Sequence, residues 1–149
     1  MLLRPVAQDE IVILLRLMRL MQNDDPWLTP FEEERAQRAV ETLLSNPLLG
    51  QIWLIKMETR VVGYIVMTFD FSLEYGGRVA WIDEFFVASE VRGNGVGQRA
   101  LELAEKSAYE AGAFLMALGV TRGNRAINLY RRSGFEAVER SLLLTKRLR

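Results

Sequence analysis

Arg92-Gly93-Asn94-Gly95-Val96-Gly97 sets three glycines at alternate positions behind an arginine, between the apolar run Phe85-Phe86-Val87 and an amphipathic stretch. A tight turn needs one glycine or two, so three suggest a backbone that a ligand must approach closely. Successive N–H groups in such a loop point into a concavity, and the start of a following helix adds partial positive charge. Arg92 adds a full charge. The chemistry such a loop serves is the holding of a phosphate or pyrophosphate.

The remaining inventory narrows what could happen beside that phosphate. The 149 residues contain no cysteine and no histidine. Thiol nucleophiles, zinc–thiolate sites, disulfides and Ser-His-Asp chemistry are therefore excluded, no metal site is expected, and proton transfer falls to Asp, Glu, Tyr, Lys or water. Gly95-Val96-Gly97-Gln98-Arg99-Ala100 also fits G-x-G-x-x-A. A dinucleotide site would want a carboxylate about 20 residues on and the loop after the first strand. Ala117 to Thr121 offers no carboxylate, and the loop follows about the fourth strand. A Walker loop is excluded because no Gly-Lys-Ser/Thr follows.

Half of the residues are apolar, and the length suits one domain with its own core, residues 1–149. The apolar run Ile11–Leu15 is followed by Arg16 and Arg19, far short of the roughly 20 residues of a membrane span. Asp9 and Glu10 stand where a signal peptide is uncharged, so the expected location is cytoplasmic. Net charge is zero but unevenly spread: residues 1–50 hold 5 basic and 8 acidic side chains, 51–90 hold 3 and 6, and 91–149 hold 11 and 5. A C-terminal half that meets a polyanion and an N-terminal half that meets a cation would account for this. A pI near 6.4 speaks against a nucleic-acid surface.

The elements that must position the loop follow from periodicity and punctuation. Residues 2–6 are extended before and through Pro5. Asp9 caps a helix to about Met21, broken by Asn23-Asp24-Asp25-Pro26. Thr29-Pro30-Phe31-Glu32 reads as a capping box opening a helix to about Leu44. Strands are predicted over Gln51–Met57, Val61–Phe71 and Arg78–Val87, with a turn at Tyr75-Gly76-Gly77. A helix over Gly97–Ala111 buries Ala100, Leu101, Ala104, Ala108 and Ala111, and Gly112 ends it. Phe114–Val120 reads as a buried strand, Asn124–Arg132 as a short helix and Leu142–Leu148 as a closing strand. An antiparallel meander followed by a β-α-β crossover makes the class α+β.

These residues resemble a family. Arg92 to Gly97 is similar to the R-G-x-G-x-G/A pyrophosphate loop of the GNAT superfamily of acyl-CoA-dependent N-acetyltransferases. Ile82-Asp83-Glu84-Phe85-Phe86-Val87 resembles that family's central strand, and Arg125-Ala126-Ile127-Asn128-Leu129-Tyr130-Arg131-Arg132-Ser133-Gly134-Phe135 resembles its A-x-x-L-Y-x-x-x-G-F signature. Asp83 to Gly97 is locally similar to polyamine acetyltransferases. The family often has an asparagine seven residues before the tyrosine; here Gly123 holds that place, with Asn124 one later and Asn128 as an alternative.

The resemblance implies a GNAT fold: a mixed, largely antiparallel sheet of about seven strands flanked by four helices. It implies direct acetyl transfer from acetyl-CoA to an amine of a small molecule or a protein, with no covalent enzyme intermediate. It also implies a bulge that splays the central strand from its parallel neighbour, so that pantetheine bonds to Phe85, Phe86 and Val87. The pyrophosphate would lie on Arg92, Gly93, Asn94, Gly95, Val96, Gly97 and Gln98, with Asn124 or Asn128 as a further contact. Tyr130 is the expected general acid and Asp83 or Glu84 the base. Asp24, Asp25, Trp27, Glu74 and Tyr75 fall in loops expected around the acceptor, an aromatic and acidic lining suited to a cationic amine. Homodimers are common among such proteins. A domain that binds acyl-CoA without catalysis is the other reading; Tyr130 and the carboxylates at 83 and 84 favour the enzyme.

Overall fold

Apolar residues at consecutive positions of the central strands require cover on both faces of the sheet. Ile52, Trp53, Leu54 and Ile55 are all buried, and so are Val62 and Tyr64 to Met67. The computed structural model, which describes residues 1–26 and 29–149, shows how that cover is supplied. Five strands, β1 (Leu2–Pro5), β2 (Gly50–Met57), β3 (Arg60–Ser72), β4 (Gly77–Val87) and β5 (Ala113–Leu118), lie side by side in sequence order. Every pairing is antiparallel except β4 with β5. Helices α1 (Ile11–Asp24) and α2 (Glu33–Ser45) precede β2, α3 (Val96–Glu110) joins β4 to β5, and α4 (Ile127–Arg132) follows.

The core has two layers. Ile52, Leu54, Tyr64, Val66 and Phe86 pack with α1 and α2. Trp53, Ile55, Ile65, Met67, Ala80 and Ile82 pack with α3. Alanines 100 and 104, both with no exposed surface, bring α3 close to the sheet. The apolar residues of α1 cover most of its circumference, and six of them are buried. None of the helices among the described residues is long and apolar enough to cross a membrane.

Four sequence expectations are corrected. The sheet has five strands among the described residues, not about seven, because Leu142–Leu148 forms no strand; Leu142, Leu143, Leu144 and Leu148 are each more than 80% exposed. Three successive leucines lack the alternation of a half-buried strand and would need cover on both faces. β5 is consequently an edge strand, half-buried and not buried, with Phe114 exposed. The capping box at Thr29 does not form: α2 starts at Glu33, and the Glu32 carboxylate pairs with Arg35 at 3.0 Å instead of reaching back along the chain. Asp9 likewise lies inside the short 3-10 turn Gln8–Glu10, and Glu10 closes it by accepting the Ala7 N–H at 3.1 Å.

One irregularity decides where the side chains at the end of β4 go. Val66 pairs with Glu84 while its neighbour Met67 pairs with Ile82, so Asp83 is an extra residue in β4. Ala80 and Ile82 face α3; after the bulge Phe86 faces α1 and α2, and Phe85 takes the α3 side. The face of every residue after Asp83 is inverted. Deleting Asp83 would set Glu84 directly after Ile82, still opposite Val66, so Glu84 and Phe86 keep their layer; the deletion and Asp83→Ala are therefore both expected to stay folded at similar stability. Urea melts of the two variants, compared at equal slope, check this.

Candidate active site

The three glycines of the loop serve two different ends. Gly93 and Gly95 have φ of +80° and +77°, and an added Cβ would meet nothing within 4 Å, so their requirement is conformational. Gly97 lies inside α3, and a Cβ there would sit 3.0 Å from Cδ2 of Leu129. The third glycine lets α4 close on α3. The first bond of α3 runs from Arg99 N–H to the Gly95 oxygen at 3.0 Å, so the N–H groups before it point out of the helix end. The side chain of Val96 is buried in the core, Asn94 Nδ2 donates to the carbonyls of Val91 and Arg92, and Gln98 accepts from Ser133, the residue that follows α4. These side chains shape the loop, and its backbone is what it presents.

Arg92 is held from three sides. Its Nε donates to the Val87 oxygen at 2.6 Å, its Nη2 pairs with Asp24 at 2.5 Å, and its guanidinium stands 5.5 Å from the centre of the Phe86 ring. It thereby joins the glycine loop, the end of β4 and the end of α1. Asp25, next along, accepts from Asn124 Nδ2 at 3.2 Å, while Asn124 Oδ1 accepts the Ala126 N–H at 2.8 Å and starts the turn into α4. Asn128 is exposed on α4.

The ladder between β4 and β5 ends at Ile82 and Leu118, so residues 83–87 run on beside β3 without a β5 partner among the described residues. The strand edge at Phe85, Phe86 and Val87 has no β5 partner on that side, and the Val87 oxygen is taken by Arg92. Glu84 and Tyr130 approach this stretch from opposite faces. Glu84 is half-buried on the α1 side, where it accepts a hydrogen bond from the Tyr64 hydroxyl at 2.7 Å. Burial and the nearby Asp83 push its pKa up to about 7 although that hydrogen bond works the other way. Asp83 is more exposed, and partial desolvation raises its pKa too. Tyr130 stands on the α3 side, against Phe85 at 6.5 Å and edge-on to Phe135 at 5.9 Å between ring centres. Burial and the charge of Asp25 push its phenol up to about 12.

The structure thus gathers Asp24, Asp25, Asp83, Glu84, Arg92, Asn124 and Tyr130 around the end of β4. Glu74 and Tyr75 do not join them. They are exposed in the β3–β4 turn, seven residues of strand or about 20 Å from Glu84. Trp27 lies outside the described residues. An open depression of about 690 Å³ on the α1 side shares Asp24 and Phe86 with the site but includes neither carboxylate of β4 nor Tyr130. Sequence reasoning missed Tyr64, which is fully buried. The available signal was a phenol within the apolar run Val61–Met67, since a buried tyrosine hydroxyl requires a partner.

The sequence matches the model of the acetyltransferase (GNAT) family over residues 14–135. Among solved structures it is similar to an integron cassette protein from the mobile metagenome of Cole Harbour Salt Marsh, at 33% identity and a TM-score of 0.86 over 99% of this chain and 90% of that one. Two others share the fold. A predicted acetyltransferase with acetyl-CoA from Clostridium acetobutylicum is 18% identical, with a TM-score of 0.80 over 97% and 95% of the two chains. An aminoglycoside antibiotic 6'-N-acetyltransferase from Acinetobacter haemolyticus is 17% identical, with a TM-score of 0.80 over the whole of both. No curated protein sequence matches the chain.

The raised pKa of Glu84 has a consequence for stability. Below the unfolded value near 4.5 the carboxyl is protonated in both states and costs nothing. As pH rises from there to about 7, the unfolded chain gives up the proton and the folded one retains it, so this group's contribution falls, by about 3 kcal/mol in all. Glu84→Gln is expected to flatten that decline, so the variant gains on the parent between pH 4.5 and 7. Melting temperatures of both proteins across that range check it.

Proposed function

The chain belongs to the acetyltransferase (GNAT) family, and on that premise we propose that it transfers the acetyl group of acetyl-CoA, its cosubstrate, directly to the primary amine of a cationic small molecule. The observation that carries the reading is the open end of β4, with Glu84 on one side and Tyr130 on the other.

The residues fit the donor. The edge of β4 at Phe85 to Val87, unpaired with β5 although the Val87 oxygen accepts from Arg92, is the place for pantetheine amides, and a backbone N–H there can polarise the thioester carbonyl. The N–H groups of Gly93 to Gln98 and the Arg92 guanidinium suit the pyrophosphate. The bound thioester supplies an activated acyl carbon and a thiolate leaving group. The chain's part is orientation and proton management.

An alkylamine of pKa about 10.4 arrives mostly protonated at pH 7. Glu84, with a pKa of about 7, has the stronger claim to be the base, since it is poised to hold the ammonium proton, directly or through a water, while the nitrogen lone pair forms the new C–N bond. Asp83 adds negative charge beside it. As the C–S bond breaks, the Tyr130 hydroxyl donates a hydrogen bond to the sulfur. Full transfer from a phenol of pKa about 12 to a thiolate of about 8.5 would be uphill by about 5 kcal/mol, so hydrogen bonding carries most of its effect and the final proton comes from solvent.

Four carboxylates, Asp24, Asp25, Asp83 and Glu84, around one reaction centre favour a cationic acceptor. The shared fold with an aminoglycoside 6'-N-acetyltransferase is in keeping with a small polyamine or aminosugar.

Turnover with a panel of polyamines, aminoglycosides, amino acids and lysine peptides tests the reading. A cationic small amine is expected to be preferred, with an apparent affinity that falls as salt is added; an anionic amino acid, or indifference to salt, would overturn the assignment of acceptor class. Tyr130→Phe is expected to lower turnover at least about tenfold when chemistry limits the rate, with little change in calorimetric affinity for acetyl-CoA or in melting temperature. Arg92→Ala is expected to weaken that affinity.

A further inference from the structure

The Tyr64 hydroxyl has no exposed surface and two partners. Glu84 Oε2 lies 2.7 Å from it, and Sδ of Met21, brought in by α1, lies 3.3 Å away. A phenol carries a single proton, so it cannot donate to both at once. We propose that Tyr64 and Met21 form a two-position hydrogen-bond cradle that holds the Glu84 carboxyl in one orientation both with and without its proton.

The two positions follow from donor and acceptor accounting. When Glu84 is ionised, the phenol donates to Oε2 in a charge-assisted bond, and the sulfur is only a packing neighbour. When Glu84 holds a proton, the carboxylic acid donates that proton to the phenol oxygen. The phenol's own hydrogen then needs a new acceptor away from Glu84, and the Met21 sulfur stands there. The phenol keeps its covalent O–H bond throughout; the hydroxyl turns about its C–O bond and exchanges one hydrogen-bond acceptor for the other. The ring does not move, because it is packed against Phe86 at 6.2 Å within the core shared with α1.

A leucine at 21 would fill the same space but leave a buried donor without an acceptor whenever Glu84 is protonated. The cradle makes Tyr64 and Met21 positioning residues for the base, and in this it rests on the proposed role of Glu84.

The groups that act on Glu84 are few. Asp83 lies on its own strand and Tyr64 on β3. From α1 the neighbour of the hydroxyl is the uncharged Met21, while Asp24 and Asp25 at the helix end are turned to Arg92 and Asn124. Tyr130 on α4 is coupled to Asp25.

The test is a titration of the Glu84 side-chain carboxyl by carbon NMR in the free protein, for the parent, Tyr64→Phe and Met21→Leu. Tyr64→Phe removes the donor to the carboxylate and is expected to raise the Glu84 pKa by about one pH unit. Met21→Leu removes the acceptor needed in the protonated state and is expected to lower it by about half a unit. Opposite movements support the cradle; no movement in Met21→Leu, or movement of both variants in one direction, overturns it. If Tyr64→Phe does not fold, the downward movement in Met21→Leu decides alone.

Activity separates the cradle from the role of Glu84. An acid limb of kcat/KM that moves with the NMR titration supports both. A limb that stays in place while the titration moves supports the cradle and removes Glu84 as the base.

Discussion

One inserted residue governs the geometry of this protein. Asp83 has no counterpart in β3, and its presence inverts the two faces of β4 beyond it. Without the bulge, the same residues in unbroken alternation would put Glu84 on the α3 face with Ile82 and Phe85 on the α1 face. With it, Glu84 meets Tyr64 and Phe85 meets Tyr130, and the pairing with β5 ends at Ile82, just before both carboxylates. A bulge costs ladder hydrogen bonds and is retained where a side chain has to be re-aimed. Here the bulge aims Glu84, the proposed base, and stands just beyond the last residue of β4 that pairs with β5.

The second organising feature is the fastening of the N-terminal half to the C-terminal half around that opening. Asp24 pairs with Arg92 and Asp25 with Asn124, so the end of α1 is tied both to the glycine loop and to the start of α4. The uneven charge along the chain appears in space in the first of these ties, where an acid of the N-terminal half meets an arginine of the C-terminal half. Both ties lie at the exposed rim, where solvent weakens ion pairs. Their value is positional, since they hold acidic side chains beside the open end of β4, where the proposed cationic acceptor would enter. The pyrophosphate of a bound nucleotide and Asp24 would compete for one guanidinium.

Much of this was legible in the sequence, and the reasons differ by element. Strands with long apolar runs and helices with clear stripes announce themselves through periodicity, and β2, β3, β4, α3 and α4 lie close to where the pattern puts them. The glycine loop was legible because unusual backbone demands unusual residues. The bulge itself is silent in the residue types; only the resemblance to a family pointed to it. Tyr64 was hidden because its significance depends on a carboxylate twenty residues later and a methionine forty-three residues earlier. Leu142 to Leu148 misled for the opposite reason: local composition favours a strand, but pairing depends on a neighbour that composition does not supply. Glu74 and Tyr75 misled because a turn rich in suitable side chains says nothing about which end of the sheet it occupies.

The contact between Gly97 and Leu129 carries a consequence for descent. Gly93 and Gly95 are constrained singly, each by its own backbone, so a replacement there is judged at that position alone. Gly97 is constrained by a side chain on another helix, 32 residues away in the chain, and the end of a leucine can be shortened. An alanine at 97 would require the tip of Leu129 to give way by a few tenths of an ångström, so the exchange is easier where position 129 is smaller. Two of the three glycines thus behave as fixed letters, while the third is one half of a pair that drifts together.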